Sequence, residues 1–467
     1  MRFPDLFKRT AEHLVGSTDS KESKLGKKNQ IRGLDDFSPQ GLGNMAWAFA
    51  RQAQLVADVS SRVKNLASNI DNSGRMSVYA TAFFDIGEVL LQRLFAAIAE
   101  ADLRVHDNLS DLKPQDLSNT AWAMAVLGFR HTAFLTAAEK QLLSRSDRFV
   151  DGNSSYMTRF KGQELANLLW AFATLDYPLK DGDNLVGKFM LSATQVDKLK
   201  VPGIARVFIR QELANIAWSY AVFGIYPESV MTMLYRGLVG VDDERDPKHL
   251  CKCFGDTGLQ GEAVNSLIYV QLAMEREEIQ NGLTLPEGFP DDWNQKSASK
   301  RTRDLTETSF ELRLSTSKIQ RSVSAAFNRI GFEHVEEHVI TIDELLDNQG
   351  IPLSREPREV LSIDLANLEA RVAIEVDGPS HYMTYIDKVP DKGGGYPLLL
   401  KNGRMEYQFR MSDERQQMNG PTVFKQRLLQ RIGWKTINIP FWEWYRMNGD
   451  VELEDAYCRE LLDKLSD

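Results

Sequence analysis

Glu375 and Asp377 stand two residues apart in the run Ile374-Glu375-Val376-Asp377-Gly378-Pro379-Ser380-His381. In an extended strand that spacing sends both carboxylates to one face and Val376 to the other. Asp364, which closes the preceding apolar stretch, is expected beside them. Three carboxylates at adjacent strand ends supply the hard oxygen ligands that Mg²⁺ takes, with room for water and a phosphate. His381, just past the turn, is placed to act as a ligand or a proton carrier. Lys425 would bring positive charge to the same site, where charge develops on phosphate. The competing reading is that the three acids are a relic, in a fold that only holds nucleic acid.

These residues need a small α/β frame, and the patterning predicts one. Residues 317–330 read as an amphipathic helix ending at Gly331. Residues 335–340, 360–365 and 372–376 read as strands, the last rich in β-branched side chains. Residues 423–432 read as a helix stopped by Gly433, and 434–439 as a final strand ended by Pro440. The interruption at 383–420 carries Gly393-Gly394-Gly395, without the Lys-Ser/Thr ending of a phosphate loop. Its Lys401, Arg404 and Arg410 are candidate phosphate contacts, with a solvated loop as the alternative. Among Trp442, Trp444 and Tyr445, alternation buries one face and leaves one aromatic to stack on a base, taken here as Trp444.

The first half of the chain repeats a phrase. Gln-x-Leu-x-Asn-x-x-Trp-Ala/Ser-x-Ala occurs at Gln40–Ala50, Gln115–Ala125, Gln163–Ala173 and Gln211–Ala221, with Asn-to-Asn steps of 75, 48 and 48 residues. An eroded fifth copy fits at Asn265, and residues 52–77 account for the long first step as an insertion. Apolar residues at helical spacing, then Gly or Pro stops and a second amphipathic stretch, make each unit a helix–turn–helix, the ingredient of an α-solenoid. The four Trp are read as core rather than as stacking platforms, and the Asn as bonded to neighbouring backbone. Positions that differ between units, such as Gly41/Asp116/Glu164/Glu212 and Met45/Thr120/Leu168/Ile216, are where a base-reading code would sit.

Two resemblances follow from these residues. The repeated phrases, over roughly residues 34–275, resemble octotricopeptide repeats and the related helical repeats of organellar RNA-binding proteins, although the units here are longer. The Glu-Val-Asp-Gly-Pro-Ser-His run, the helix bearing Lys425 and Arg427, and the Gly433-Trp434…Pro440-Phe441-Trp442-Glu443-Trp444 ending resemble the RAP domain. RAP domains in turn look like the PD-(D/E)XK nuclease fold, in its Vsr-like branch. That resemblance implies Asp364 and Glu375 as metal ligands, but Asp377 stands where an active nuclease of this type carries Lys.

The expected architecture is mainly α: a solenoid of helix–turn–helix repeats followed by a small α/β domain. Its parts are a basic extension at 1–33, the solenoid at 34–279, a linker at 280–316, a RAP domain at 317–446 and a C-terminal helix at 447–467. The resemblance implies an organellar RNA-binding protein, acting on single-stranded mRNA or rRNA in processing, stability or translation. Its location would be the mitochondrial matrix or chloroplast stroma. A ribonucleoprotein partner is implied. No cofactor is required for binding, and Mg²⁺ only if the chain cuts RNA as an endoribonuclease. His381, Lys401, Arg404, Arg410, Arg427 and Trp444 are the candidate RNA contacts. A protein-interaction solenoid is the non-RNA alternative.

Composition bounds this reading. The net charge is −9, whereas nucleic-acid binders are often basic, so phosphate contacts must come from local patches. Residues 1–33 hold eight Lys/Arg against four Asp/Glu. The acids Asp5 and Glu12 count against an organelle presequence there. Three cysteines are too few for a disulfide framework, and no apolar run approaches a membrane span.

Overall fold

The computed structural model describes residues 3–19, 33–68, 88–144, 160–179, 208–239, 261–277, 318–341, 359–387, 398–401, 404–407 and 416–465. The chain divides into two compact units, each assembled from two stretches of sequence. The first joins Met1–Pro202 to Met383–Gln417, and the second joins Gly203–Tyr382 to Met418–Asp467. The expected linker at 280–316, Arg410, and the Gly393-Gly394-Gly395 run lie outside the described residues.

In the first unit the helices are α1 (Phe3–Asp19), α2 (Pro39–Ser68), α3 (Glu88–Val105), α4 (Pro114–Leu127), α5 (Thr132–Ser144) and α6 (Gly162–Thr174). The phrase helices pack in sequence, α2 against α4 and α4 against α6. Leu42, Ala46, Leu117, Ala121, Leu165, Leu169 and Phe172 are buried along them. Gly43 allows the closest approach: a Cβ there would meet the backbone of Asp116 at 3.1–3.2 Å. The same place in the later phrases holds Ser118, Ala166 and Ala214, all small. A two-residue strand, β1 (Phe129–Arg130), pairs in parallel with Thr384 and Tyr385 of β5 (Tyr382–Tyr385).

Three features of the repeats differ from the reading of the sequence. The insertion expected at 52–77 begins as helix, because α2 runs on to Ser68 through a stretch without Gly or Pro. The proposed coding positions are structural. Asp116, Glu164 and Glu212 sit in the first helical turn and accept from the backbone N–H of Lys113, Lys161 and Ile209, at 3.4, 2.8 and 2.9 Å. Thr120, Leu168 and Ile216 are fully buried. The Trp row is not core: Trp47 is 46% exposed, and Trp122, Trp170 and Trp218 are only half-buried.

The second unit contains α7 (Arg210–Phe223), α8 (Glu228–Val239) and α9 (Gly261–Arg276), with α7 packed on both. Gly224 ends α7 in the left-handed conformation, at φ 69°, and its N–H bonds back to the carbonyl of Ala221. The α/β region follows the expected order. Helix α10 (Lys318–Arg329) precedes strands β2 (Val335–Thr341), β3 (Glu359–Asn367) and β4 (Val372–Asp377). Helix α11 (Gly420–Arg431) then crosses over to β9 (Lys435–Pro440). Between β4 and α11 in sequence, β6 (Leu398–Lys401) and β7 (Arg404–Tyr407) form a hairpin that belongs to the first unit, and β8 (Gln416–Met418) follows it.

The sheet order is β2-β3-β4-β9, with β4 and β9 parallel and the other pairs antiparallel. A parallel pair requires a crossover, which α11 supplies. Val323, Phe327, Leu365, Ile374, Ile437, Ile439 and Trp444 form its core. Cys458 joins them from α13 (Val451–Asp463), the C-terminal helix expected at 447–467. No helix among the described residues is long and apolar enough to cross a membrane.

Candidate nucleic-acid interface

The register of β4 against β9 places Glu375 opposite Asn438 and Asp377 opposite Pro440. Alternation along β4 puts the two acids on one side, as the spacing requires. Their surroundings are different. Asp377 is 1% exposed and fully engaged: Oδ2 accepts from Asn438 Nδ2 at 2.7 Å and from Tyr382 Oη at 3.3 Å, while Oδ1 lies 3.2 Å from His381 Nδ1. Burial raises its pKa, against the Asn438 bond, His381 and Tyr382.

Glu375 is also buried, and its Oε2 lies 2.6 Å from Lys425 Nζ on α11. Burial pushes the carboxyl up and the Lys425 ammonium opposes that rise. Burial likewise works to lower Lys425, but Glu375 and Asp364 outweigh it and its pKa is raised. The short contact and the nearby acids hold Lys425 protonated. Asp364, in the body of β3 rather than at its end, accepts the Val376 N–H at 2.7 Å.

The expected Mg²⁺ site does not fit these partners. Glu375 Oε1 is buried without a hydrogen bond, but Oε2 faces an ammonium and Asp377 is turned to Asn438, Tyr382 and His381. With Asp364 also accepting the Val376 N–H, the acids are engaged by groups of the fold rather than arranged as the set of hard ligands that Mg²⁺ takes. Among the described residues no three His, Cys, Asp or Glu side chains gather as a metal-binding group. The acids are the polar core of this α/β region, with Lys425 as counter-ion.

His381 is the chemically open member. Its Nδ1 lies 3.2 Å from both Asp377 Oδ1 and Thr422 Oγ1, and the Thr422 hydroxyl donates to Asn419 Oδ1 at 2.8 Å. With Asp377 ionised both oxygens accept from Nδ1, and that tautomer leaves Nε2 as an acceptor. The side chain is 38% exposed. Such a nitrogen can accept a hydrogen bond from a ribose 2′-hydroxyl.

Residues 374–461 match the RAP domain family. The chain thus carries a RAP domain, a family linked to RNA binding. The match takes in β4, α11, β9 and α13.

Two candidate contacts of the RAP domain are corrected. Trp444 was expected to stack on a base, but Phe441–Arg446 forms a short helix, α12, instead of continuing the extended alternation. Trp444 is 5% exposed and donates from Nε1 to Ser322 Oγ at 3.2 Å; Trp442 packs on Tyr382. The aromatic left at the surface is Tyr445. Arg427 donates to the carbonyls of Ala221 and Val222 at the end of α7 and pairs with Glu277 at 2.9 Å. Its charge serves the packing of α11 on α7. Lys401 and Arg404 face each other in register across the β6–β7 hairpin.

The sequence reading missed a second constellation, in the first unit. A groove of about 400 Å³ is lined by Trp47 and Arg51 of α2, Asn119 and Trp122 of α4, and Gln163 and Asn167 of α6, with Lys161 at its rim. The signal was present: Gln, Asn and Trp of the phrase lie at offsets 0, 4 and 7, one face of a helix. Small or apolar neighbours of the Trp residues, such as Ala46, Ala121, Ala123, Leu169, Ala171 and Ala217, are buried, and they misdirected the assignment of the indoles.

Proposed function

We propose that this chain is an RNA-binding protein that holds single-stranded organellar transcripts, mRNA or rRNA, during their processing, stabilisation or translation. The observation that carries the RNA reading is the RAP domain at residues 374–461. His381 supports it, because an imidazole acceptor held by Asp377 suits a 2′-hydroxyl, the group that separates RNA from DNA. Holding rather than cutting is favoured, since Asp364, Glu375 and Asp377 each already satisfy a partner in the fold. The resemblance of the RAP domain to Vsr-like nucleases then concerns its fold. The phrase helices extend this reading as a solenoid along the transcript, within a ribonucleoprotein in the mitochondrial matrix or chloroplast stroma.

The test is competition between RNA and DNA of one sequence for the full chain. The expected result is preference for RNA in the wild type and a reduced preference in His381→Ala. Equal affinity for both, unchanged by that substitution, removes the role given to His381. Failure to bind any RNA removes the function itself.

A further inference from the structure

Resting on the RNA reading, we infer that the groove across α2, α4 and α6 is a sequence-tolerant track for single-stranded RNA, its bases stacking on Trp47 and Trp122. Nearly half of Trp47 is exposed, an unusual position for the largest apolar side chain. The Arg51 guanidinium lies 6.0 Å from the Trp47 ring centroid and 5.9 Å from that of Trp122, so one cation spans two π-faces on neighbouring helices. Asn119 and Asn167 add amides from successive units.

Two properties of the lining choose the ligand. First, the Gln, Asn and Trp turned to the groove are those repeated in each phrase, Arg51 and Lys161 add cations particular to single units, and the variable positions serve mainly helix starts and core. A surface that presents the same groups unit after unit matches a polymer with a repeating backbone. It cannot discriminate one monomer from the next. Every base offers a π-face to an indole, and an amide presents both donor and acceptor to whichever edge it meets.

Second, the ionic balance is positive. Arg51 and Lys161 line the groove, and its one acid, Glu164, accepts the Lys161 backbone N–H at 2.8 Å as part of the helix start. An extended peptide would use the amides but has no need of the cations. A phosphate backbone uses both.

The experiment measures fluorescence anisotropy of the full chain with labelled homopolymers of uridine, adenosine and cytidine of equal length, and with an uncharged extended peptide. The wild type is expected to bind the three RNAs within a few-fold of one another and to ignore the peptide. Trp47→Ala/Trp122→Ala should lower all three affinities together by at least about tenfold, the scale of losing stacked bases. Trp47→Ala alone, at an exposed position that leaves the core intact, should give part of that loss, and Arg51→Gln should flatten the salt dependence.

Wild-type RNA affinity retained in both Trp variants overturns the groove assignment and leaves the RNA reading standing. Preference for one homopolymer that these variants abolish overturns its sequence tolerance. Peptide bound at the groove in place of RNA overturns the choice of ligand. No RNA binding by the wild type overturns the underlying function as well.

Discussion

Lys425 Nζ lies 2.6 Å from Glu375 Oε2, joining helix α11 to strand β4 through one ion pair beneath the RAP surface. Removing one member of such a pair leaves the other charge without compensation, at a cost of about 3 kcal/mol when the site is well buried. Lys425→Met should therefore destabilise the chain on that scale in urea unfolding near pH 8. The loss should shrink toward pH 5. A carboxyl whose folded pKa is raised adds stability below its unfolded pKa and forfeits it as pH rises, so the orphaned Glu375 is tolerated only when protonated. Glu375→Gln in the same background should restore most of the stability at pH 8.

Asp102 on α3 offers a second pH test. It is fully buried, neither carboxylate oxygen has a hydrogen-bond partner, and burial, reinforced by Asp116, raises its pKa to about 8. Its unfolded value lies near 3.8, so its contribution to stability is complete below that pH and is lost as pH rises through about 8. The slope approaches roughly 1.4 kcal/mol per pH unit for one proton. Asp102→Asn should flatten stability against pH between these limits, as read from chemical denaturation at several pH values.

Gly43 tests the packing of the repeats. A side chain there presses on the Asp116 backbone, which cannot swing aside as a flexible side chain would. Gly43→Val should destabilise by roughly 1–3 kcal/mol through overpacking, and Gly43→Ala by less. A calorimetric melt of the two variants would separate this from loss of RNA contact.

Arg427 distinguishes a structural cation from a nucleic-acid contact. Arg427→Ala removes two carbonyl bonds at the end of α7 and deprives Glu277 of its cation, for an expected loss of roughly 2 kcal/mol. RNA affinity measured below the melting transition should be unchanged. A folded variant with normal stability and weakened RNA binding would return Arg427 to the interface.

Much of the α/β region was legible because its signals are local. The β-branched run at Val372–Val376, the stop at Gly433 and Pro440 at the end of the last strand each fix a boundary within a few residues. The position of Asp364 was only partly legible, since strand length depends on pairing with β2 and β4. Trp444 was misplaced because Phe441–Arg446 closes into a helix, which changes the period from two to 3.6 and brings the indole inward. The Trp row failed for another reason. Hydrophobicity alone favours burial, and only the packing of α2, α4 and α6 decides which helical face remains open.

RNA binding by the full chain, titrated with salt, tests the central claim most directly. The function proposed here predicts measurable affinity for single-stranded RNA that falls as salt rises, with a log–log slope of about −0.7 for each phosphate neutralised and a total of several units. Absence of binding, or affinity indifferent to salt, would contradict it.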